Sequence, residues 1–235
     1  KANHYVGGFE FDLTRRLDLN IEAYYKDFTQ LTNLNPNKLT EKDNDFINET
    51  GNAQGIDVVL KHEYKNLYVW LVYSLTYVSR YDGILKDEQG NKISYRPNFD
   101  RRHNGNIVMS YTFGKDRNWE VDARWNLGSG FPFKPTGGFY ENIMFDDGLN
   151  TDYTTTNGSL NYFFEDGSIK RLPWYHRLDI NVKRTFLFTE NTKLEAAVGA
   201  TNVYDRKNIF YFDRIQYERV DQLPLLPTAS LILTF

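Results

Sequence analysis

The chain has 235 residues, of which 40% are hydrophobic and 25% are charged, and its formal net charge is −3. This balance excludes a strongly basic nucleic-acid-binding protein, and the absence of cysteine excludes disulfides and thiolate metal sites. The mean hydropathy is −0.60 and polar residues interrupt every apolar stretch, which excludes helical membrane spans of about 20 apolar residues.

Apolar and polar residues alternate along most of the chain, beginning with Phe9, Phe11 and Leu13. Strict alternation predicts β-strands with two unlike faces. We predict about nine strands, each near the ~9–11 residues that cross a bilayer when tilted. Their alternating segments are, in chain order, residues 9–13, 17–25, 56–60, 69–77, 107–113, 119–127, 178–182, 194–198 and 231–235.

The connections between these strands are of two kinds, which alternate along the chain. Tight polar turns are predicted at residues 14–16, 63–66, 114–118 and 188–191. Long loops are predicted at residues 32–50, 80–100, 129–173 and 204–224. In an antiparallel up-and-down sheet, this alternation puts every short turn at one end and every long loop at the other. Outer-membrane barrels follow this rule, with short periplasmic turns and long extracellular loops.

The two faces of the strands differ in polarity. A membrane barrel turns its apolar face to lipid and its polar face to a wet lumen, whereas a soluble barrel does the reverse. We predict the all-β, antiparallel transmembrane barrel, and a soluble sandwich with one polar face is the alternative. The residues predicted to line the lumen are Glu120, Asp122, Arg124, Arg177, Asp179 and Lys183.

Several segments carry a family resemblance. The last strand, with Leu231, Leu233 and a terminal Phe235, resembles the signal by which outer-membrane barrels are recognised for assembly. Residues 96–103, 126–133, 171–179 and 199–206 resemble the C-terminal part of TonB-dependent outer-membrane transporters. The Asn-aromatic-Asp sequence at Asn202, Tyr204 and Asp205 is the most specific of these features. Residues 222–227 are similar to the Bacteroidetes-type branch.

The resemblance implies more than the sequence contains. Such transporters have a barrel of about 22 strands around a plug, and single-chain bacterial barrels normally have an even number of strands. The odd strand count and the lack of a plug-like segment predict that residues 1–235 are the C-terminal portion of a longer barrel. The implied partners are outer-membrane lipid, TonB acting through the plug, and the barrel assembly machinery, with a surface lipoprotein as a further candidate. The implied location is the outer membrane of a Gram-negative bacterium.

No catalytic constellation is evident, so we predict that the chain is not an enzyme and carries no cofactor or metal. The four His residues lack metal-ligand spacing. Asp43, Asn44 and Asp45 are a weak Ca²⁺ candidate without the EF-hand Gly or spaced Glu. Glu120 and Asp122 share a face as glycosidase carboxylates do, but a solvated lumen wall explains them more simply.

The outer loops are the predicted binding region, because they combine many aromatic rings with polar neighbours and arginine. Such rings stack on sugars, haem or aromatic chelators, and arginine holds carboxylates. The alternative is that the loops pack on one another and cap the barrel, and both can hold. The residues chosen as ligand contacts are Phe139, Tyr140, Phe145, Phe210, Tyr211, Phe212 and Arg214.

The function predicted from these features is energised uptake of a large, scarce nutrient through a plugged barrel. A siderophore, glycan, peptide or cobalamin all fit equally well. A structural or secretion-associated barrel and a passive porin are the alternatives.

Overall fold

A computed structural model describes residues 1–35, 42–86, 88–142, 158–165, 169–189 and 191–235. Within these ranges there is no helix of the length and apolar character that a membrane span requires. Nine strands form one antiparallel sheet in which sequence neighbours are also spatial neighbours, and a short tenth strand (Lys92–Tyr95) pairs with the fourth of them. The nine are β1 (Ala2–Thr14), β2 (Leu17–Leu34), β3 (Phe46–Tyr64), β4 (Leu67–Lys86), β6 (His103–Phe113), β7 (Trp119–Gly128), β12 (Tyr175–Leu187), β13 (Lys193–Thr201) and β16 (Leu226–Thr234).

The long connections carry short strands of their own. β8 pairs with β11, β9 with β10, and β14 with β15. These strands are β5 (Lys92–Tyr95), β8 (Pro132–Phe133), β9 (Thr136–Asn142), β10 (Ser159–Phe164), β11 (Lys170–Arg171), β14 (Ile209–Asp213) and β15 (Glu218–Asp221). The all-β, antiparallel up-and-down prediction is confirmed, as is the count of about nine main strands.

Short turns and long connections alternate as predicted. The strand pairs β1–β2, β3–β4, β6–β7 and β12–β13 are joined by the short turns, at what we call the turn end of the sheet. Lys65, Gly114 and Arg117 adopt positive φ angles of 53°, 94° and 52° in two of these turns, which lets the chain reverse within a few residues. The opposite end of the strands, where the long connections lie, is called the loop end.

Three strands are longer than the sequence predicts. β2, β3 and β4 have 18, 19 and 20 residues, about twice the ~9–11 that cross a bilayer. Pairing between β2 and β3 continues to Leu34 and Phe46, and β4 reaches Lys86. The segments predicted as loops at 32–50 and 80–100 are therefore partly β-strand. The hairpin ladder therefore extends past the membrane-crossing length at the loop end.

The sheet has a polar and an apolar face. Cross-strand partners project on the same side, and the register aligns Glu120 with Lys183, Asp122 with Asn181 and Arg124 with Asp179. The opposite face carries exposed large apolar side chains. Those with at least 36% exposure on this face are Tyr5, Phe9, Phe11, Tyr25, Ile56, Tyr77, Met109, Tyr111, Phe113, Val198, Leu231 and Leu233.

The sheet is a single layer without a core. Each of the main strands packs closely only against its hydrogen-bonded neighbours, and Ala53 and Pro97 are the only buried apolar side chains in the described ranges. An exposed apolar face of this extent exceeds what a soluble monomer normally presents to water. The same arrangement is expected of a barrel wall that is covered by lipid on one side.

Candidate functional site

The predicted ligand-contact residues lie in two hairpins at the loop end. Phe139 and Tyr140 belong to β9, and Phe210, Tyr211 and Phe212 belong to β14. Arg214 follows β14 directly. Phe145 lies outside the described residues. The first hairpin, β9–β10, comes from the largest connection, and the second, β14–β15, comes from the last connection.

Arg214 joins these hairpins. It donates a hydrogen bond from Nη1 to Thr136 Oγ1 over 2.8 Å. Its guanidinium carbon lies 4.7, 5.5 and 5.0 Å from the ring centres of Phe133, Tyr162 and Phe164. The ring of Phe212 lies 5.1 Å from that of Phe133. Cation–π contacts of this kind are stabilising at such distances, so Phe212 and Arg214 hold the two loops together.

Other predicted contacts keep their rings open to solvent. Phe139 and Tyr140 are 41% and 45% exposed, and Phe210 and Tyr211 are 66% and 49% exposed. Phe139 makes an edge contact with Tyr217, with ring centres 6.5 Å apart. These rings are therefore available for stacking, whereas Phe212 and Arg214 contact protein. The two interpretations of the loops, ligand contact and mutual packing, thus fall on different residues.

A cleft of about 520 Å³ lies beside the β14–β15 hairpin, and the sequence did not point to it. Four of its lining side chains are cationic, and none of the described lining residues is acidic. We call it the basic cleft. The residues used below are its cations, Arg101, Arg206, Lys207 and Arg219, and two of its rings, Phe131 and Phe210.

Arg101 is placed in the basic cleft by the end of β7. The register pairs Gly128 with Tyr175, and the guanidinium of Arg101 occupies the space where a side chain at position 128 would lie. Its guanidinium carbon lies 4.3 Å from the ring centre of Phe131 and 5.4 Å from that of Tyr175. Burial lowers the pKa of the Arg101 guanidinium. Arginine nevertheless remains protonated in proteins, so the cleft keeps this charge.

The loop end is fixed by a buried carboxylate at Asp100. This residue is fully buried, and Arg171 forms a salt bridge to Oδ2 from Nη2. Nη1 of Arg171 donates to the carbonyls of Asp100 and Gly130 over 2.8 and 3.0 Å. Arg171 thereby ties the turn before β6 to the strand exit after β7, two of the segments that carry the family resemblance.

A second buried carboxylate ties the β2–β3 hairpin to β4 and β5. Glu49 is 3% exposed and accepts hydrogen bonds from Asn33 Nδ2 at 3.0 Å and Tyr95 Oη at 2.7 Å. The Arg80 guanidinium lies 3.4 Å from it. Burial and the hydrogen bond to Glu49 raise the pKa of Tyr95. The phenol is therefore a neutral donor at neutral pH.

The Asn-aromatic-Asp sequence anchors the last connection. Asn202 is fully buried, with φ at 54°, and its Nδ2 donates to the carbonyls of Arg206 and Leu223 over 3.0 and 3.1 Å. Its Oδ1 accepts from the Arg206 amide at 3.0 Å. Its own amide donates to Asp179 Oδ1 over 2.9 Å. Every polar group of this side chain is thus used to fold the loop back onto the sheet.

The predicted lumen residues share the polar face. Lys183 and Glu120 form a cross-strand salt bridge of 2.9 Å, and Arg177 pairs with Asp179 at 2.9 Å on one strand. Asp179 therefore bonds both Arg177 and the Asn202 amide, which gives it a structural role in addition to its place on this face. Metal coordination has no candidate here, since no group of three or more His, Cys, Asp or Glu within the described ranges is arranged to hold an ion.

The residues of the predicted assembly signal lie at the free edge strand. Leu231 and Leu233 are 73% and 56% exposed on the apolar face of β16, and Phe235 follows the strand with 93% exposure. In the described part of the chain, β16 pairs only with β13. The edge thus presents unpaired backbone groups next to these side chains.

Neither a protein-family model nor a curated protein matches the chain. Solved structures do match, and two of them are examples. One is the ferripyoverdine receptor of the outer membrane of Pseudomonas aeruginosa, bound to ferripyoverdine, with a TM-score of 0.56 and 13% identity over 95% of this chain. The other is the complex of FpvAI with pyocin S2, with a TM-score of 0.54 and 13% identity over 99% of this chain.

The likeness to these structures establishes the fold. The chain spans about a quarter of each matched chain, 26% in both cases. It therefore has the fold of part of an outer-membrane receptor barrel. The Bacteroidetes-type branch stays a prediction. The first match is a receptor of Pseudomonas aeruginosa, and the second names no organism, so neither supports that branch.

Proposed function

We propose that the chain forms the C-terminal part of the barrel of a TonB-dependent outer-membrane transporter. The single observation that carries this proposal is the nine-stranded meander with short and long connections at opposite ends and one exposed apolar face. The fold match to the ferripyoverdine receptor supports it. In this proposal the polar face with Glu120, Asp122, Arg124, Arg177, Asp179 and Lys183 lines the lumen.

The remaining strands and the plug belong to the same assembly in this proposal. β1 and β16 each pair on one side among the described strands, and an open sheet edge is not stable in lipid. Further strands would close the barrel to about 22. TonB would act through the plug, the assembly machinery would recognise the end of β16, and a surface lipoprotein would cover the loop end.

The ligand in this proposal is a large nutrient held at the loop end. The exposed rings of Phe139, Tyr140 and Phe210 support this, because amphipathic rings with polar neighbours stack on sugars and chelators. Phe212 and Arg214 act indirectly by joining the loops. Energy from the proton-motive force would be needed, since a plugged barrel releases a tightly held ligand only when the plug moves.

The test is growth in media in which one scarce nutrient from a panel is the sole source of the element or vitamin that it supplies. The strains carry the intact protein, with and without TonB. We expect at least one nutrient whose uptake requires both proteins. Triple replacement of Phe139, Tyr140 and Phe210 by Ala should reduce that uptake about 10-fold at equal surface expression. A matched control replaces Lys115 and Arg117 in the β6–β7 turn. Uptake that continues without TonB would favour a porin, and an absence of any uptake would favour a structural barrel.

A further inference from the structure

We propose that the basic cleft binds an anionic ring ligand, meaning a carboxylate or phosphate group attached to an aromatic or sugar ring. The cleft brings together Arg101, Arg206, Lys207 and Arg219, and no acidic residue is present among its described lining residues. This inference names the ligand chemistry of the loop end and rests on the proposed transport function.

The charges of the cleft are largely uncompensated. Of the four cations, only Arg219 has a carboxylate within salt-bridge distance in the described ranges, from Nε to Asp221 Oδ1 at 2.7 Å. Four cations and this one carboxylate leave a local charge of +3. Clefts lined by one sign of charge attract and concentrate ligands of the opposite sign.

Arg101 is the strongest single argument for an anion. Its Nε is buried without a hydrogen-bond partner, and its near neighbours are the ring faces of Phe131 and Tyr175. Arg101 as a whole is half-buried, and no carboxylate in the described ranges lies within salt-bridge distance of it. A cation that is partly removed from water without an anionic partner is costly. A carboxylate or phosphate in the cleft would be that partner for the accessible part of the guanidinium, whose geometry matches both groups.

Arg206 and Arg219 also donate hydrogen bonds to neutral groups that hold them in place. Arg206 donates from Nη2 to the Trp174 carbonyl over 2.8 Å and from Nε to Asn208 Oδ1 over 3.2 Å. Arg219 donates from Nη2 to the Lys207 carbonyl over 2.7 Å. These bonds fix the guanidinium groups without neutralising Arg206. Lys207 is an exposed residue that lines the cleft.

The walls of the cleft favour a ring on the ligand. Phe131 and Phe210 both line the cleft, and Phe210 is 66% exposed. A volume of about 520 Å³ falls within the range of sites that hold small molecules. The smaller cleft beside Arg214, of about 350 Å³, is instead bordered by Phe133, whose ring already contacts that guanidinium.

Two sources offer this chemistry at a bacterial surface. One is a soluble nutrient that carries a carboxylate or phosphate on a ring, and the other is the phosphorylated sugar headgroup of lipopolysaccharide. The shared group is an anion on a ring, so one probe serves for both. We choose 1-naphthyl phosphate, with 1-naphthylmethylammonium as the cation on the same ring.

The experiment measures binding of these two probes to the intact protein in nanodiscs of zwitterionic lipid. We expect 1-naphthyl phosphate to bind and the ammonium probe not to bind. Lys207→Met should weaken phosphate binding about 3-fold, and adding Arg101→Met should weaken it at least ~10-fold. The control is Lys115→Met with Arg117→Met, which removes the same charge from the β6–β7 turn and should leave binding unchanged.

Equal binding by wild type and Lys207→Met, or equal binding of both probes, would overturn the proposal. The exposed position of Lys207 keeps this result interpretable if Arg101→Met does not fold. Competition by added lipopolysaccharide would assign the anion to the headgroup, and its absence would assign it to a soluble ligand. TonB-dependent uptake without probe binding would overturn the cleft alone, whereas cleft-dependent binding without TonB-dependent uptake would overturn the transport function alone.

Discussion

Ala123 lies at the middle of β7 on the apolar face, where its cross-strand partners are Met109 and Ile180. Ala123→Arg should therefore place a guanidinium in lipid near the bilayer centre and destabilise the barrel by about 2–4 kcal/mol. Ser110→Arg is the matched control. Ser110 pairs with Asp122 on the polar face, so the same added charge should cost less than about 1 kcal/mol.

Depth provides a second check on the same face. Val121 lies two residues closer to the turn end on the same face, next to the Phe113–Trp119 ring stack, so Val121→Arg should cost less than Ala123→Arg but more than Ser110→Arg. The assay is urea unfolding of the intact protein in lipid vesicles, followed by tryptophan fluorescence. Equal costs for Ala123→Arg and Ser110→Arg would refute the assignment of the two faces.

Three further substitutions test individual contacts. Gly55→Ala should cost about 1–3 kcal/mol in urea unfolding, because a Cβ there would meet the Tyr24 hydroxyl at 2.5 Å, whereas Gly7→Ala, with open space, should cost little. Asn202→Ala should cost about 3 kcal/mol and speed proteolysis of the last connection, since it strands two carbonyls and an amide; unchanged cleavage would count against this role. Phe235→Ala should reduce the heat-modifiable barrel in the outer membrane, and equal amounts would argue against an assembly signal.

The strands and their order could be predicted from sequence because their cause is local. A strand in lipid must alternate, so each crossing leaves a period-two pattern that needs no knowledge of its neighbours. The short turns could also be predicted. Residues 114–118, for example, are polar, contain Gly114 and lie between two alternating segments. Strand pairing then follows from chain order in a meander.

The lengths of β2, β3 and β4 could not be predicted in the same way. Beyond the membrane both faces of a hairpin are wet, so alternation fades while the backbone ladder continues, as in the pairing of Thr32 with Asn48. The buried Glu49 and its partner Tyr95 belong to this extension. Glu49 and Tyr95 are 46 residues apart, and a contact over this separation leaves no periodic pattern in the sequence.

The composition of the sequence pointed to the two loops of the candidate site, but it did not predict how the residues of these loops are arranged. Aromatic residues identified the two loops, but the separation into packed Phe212 and exposed Phe210 depends on how the β9–β10 and β14–β15 hairpins meet. Arg101 lies in a segment that carried the family resemblance, yet its position over Gly128 follows from the register of β6 with β7, which pairs Asn104 with Gly128. Only the folded sheet shows that four cations share one cleft.

The central claim is that one face of this sheet meets lipid and the other meets water. The chain contains no cysteine, so single cysteines at positions 122, 123 and 124 of β7 report without background from this part of the protein. The measurement is fluorescence of a label at each position, in vesicles of the intact protein, with nitroxide lipid or aqueous iodide as quencher. The account predicts lipid quenching at Ala123→Cys and iodide quenching at Asp122→Cys and Arg124→Cys. Quenching that fails to alternate, or alternates in the opposite sense, would contradict it.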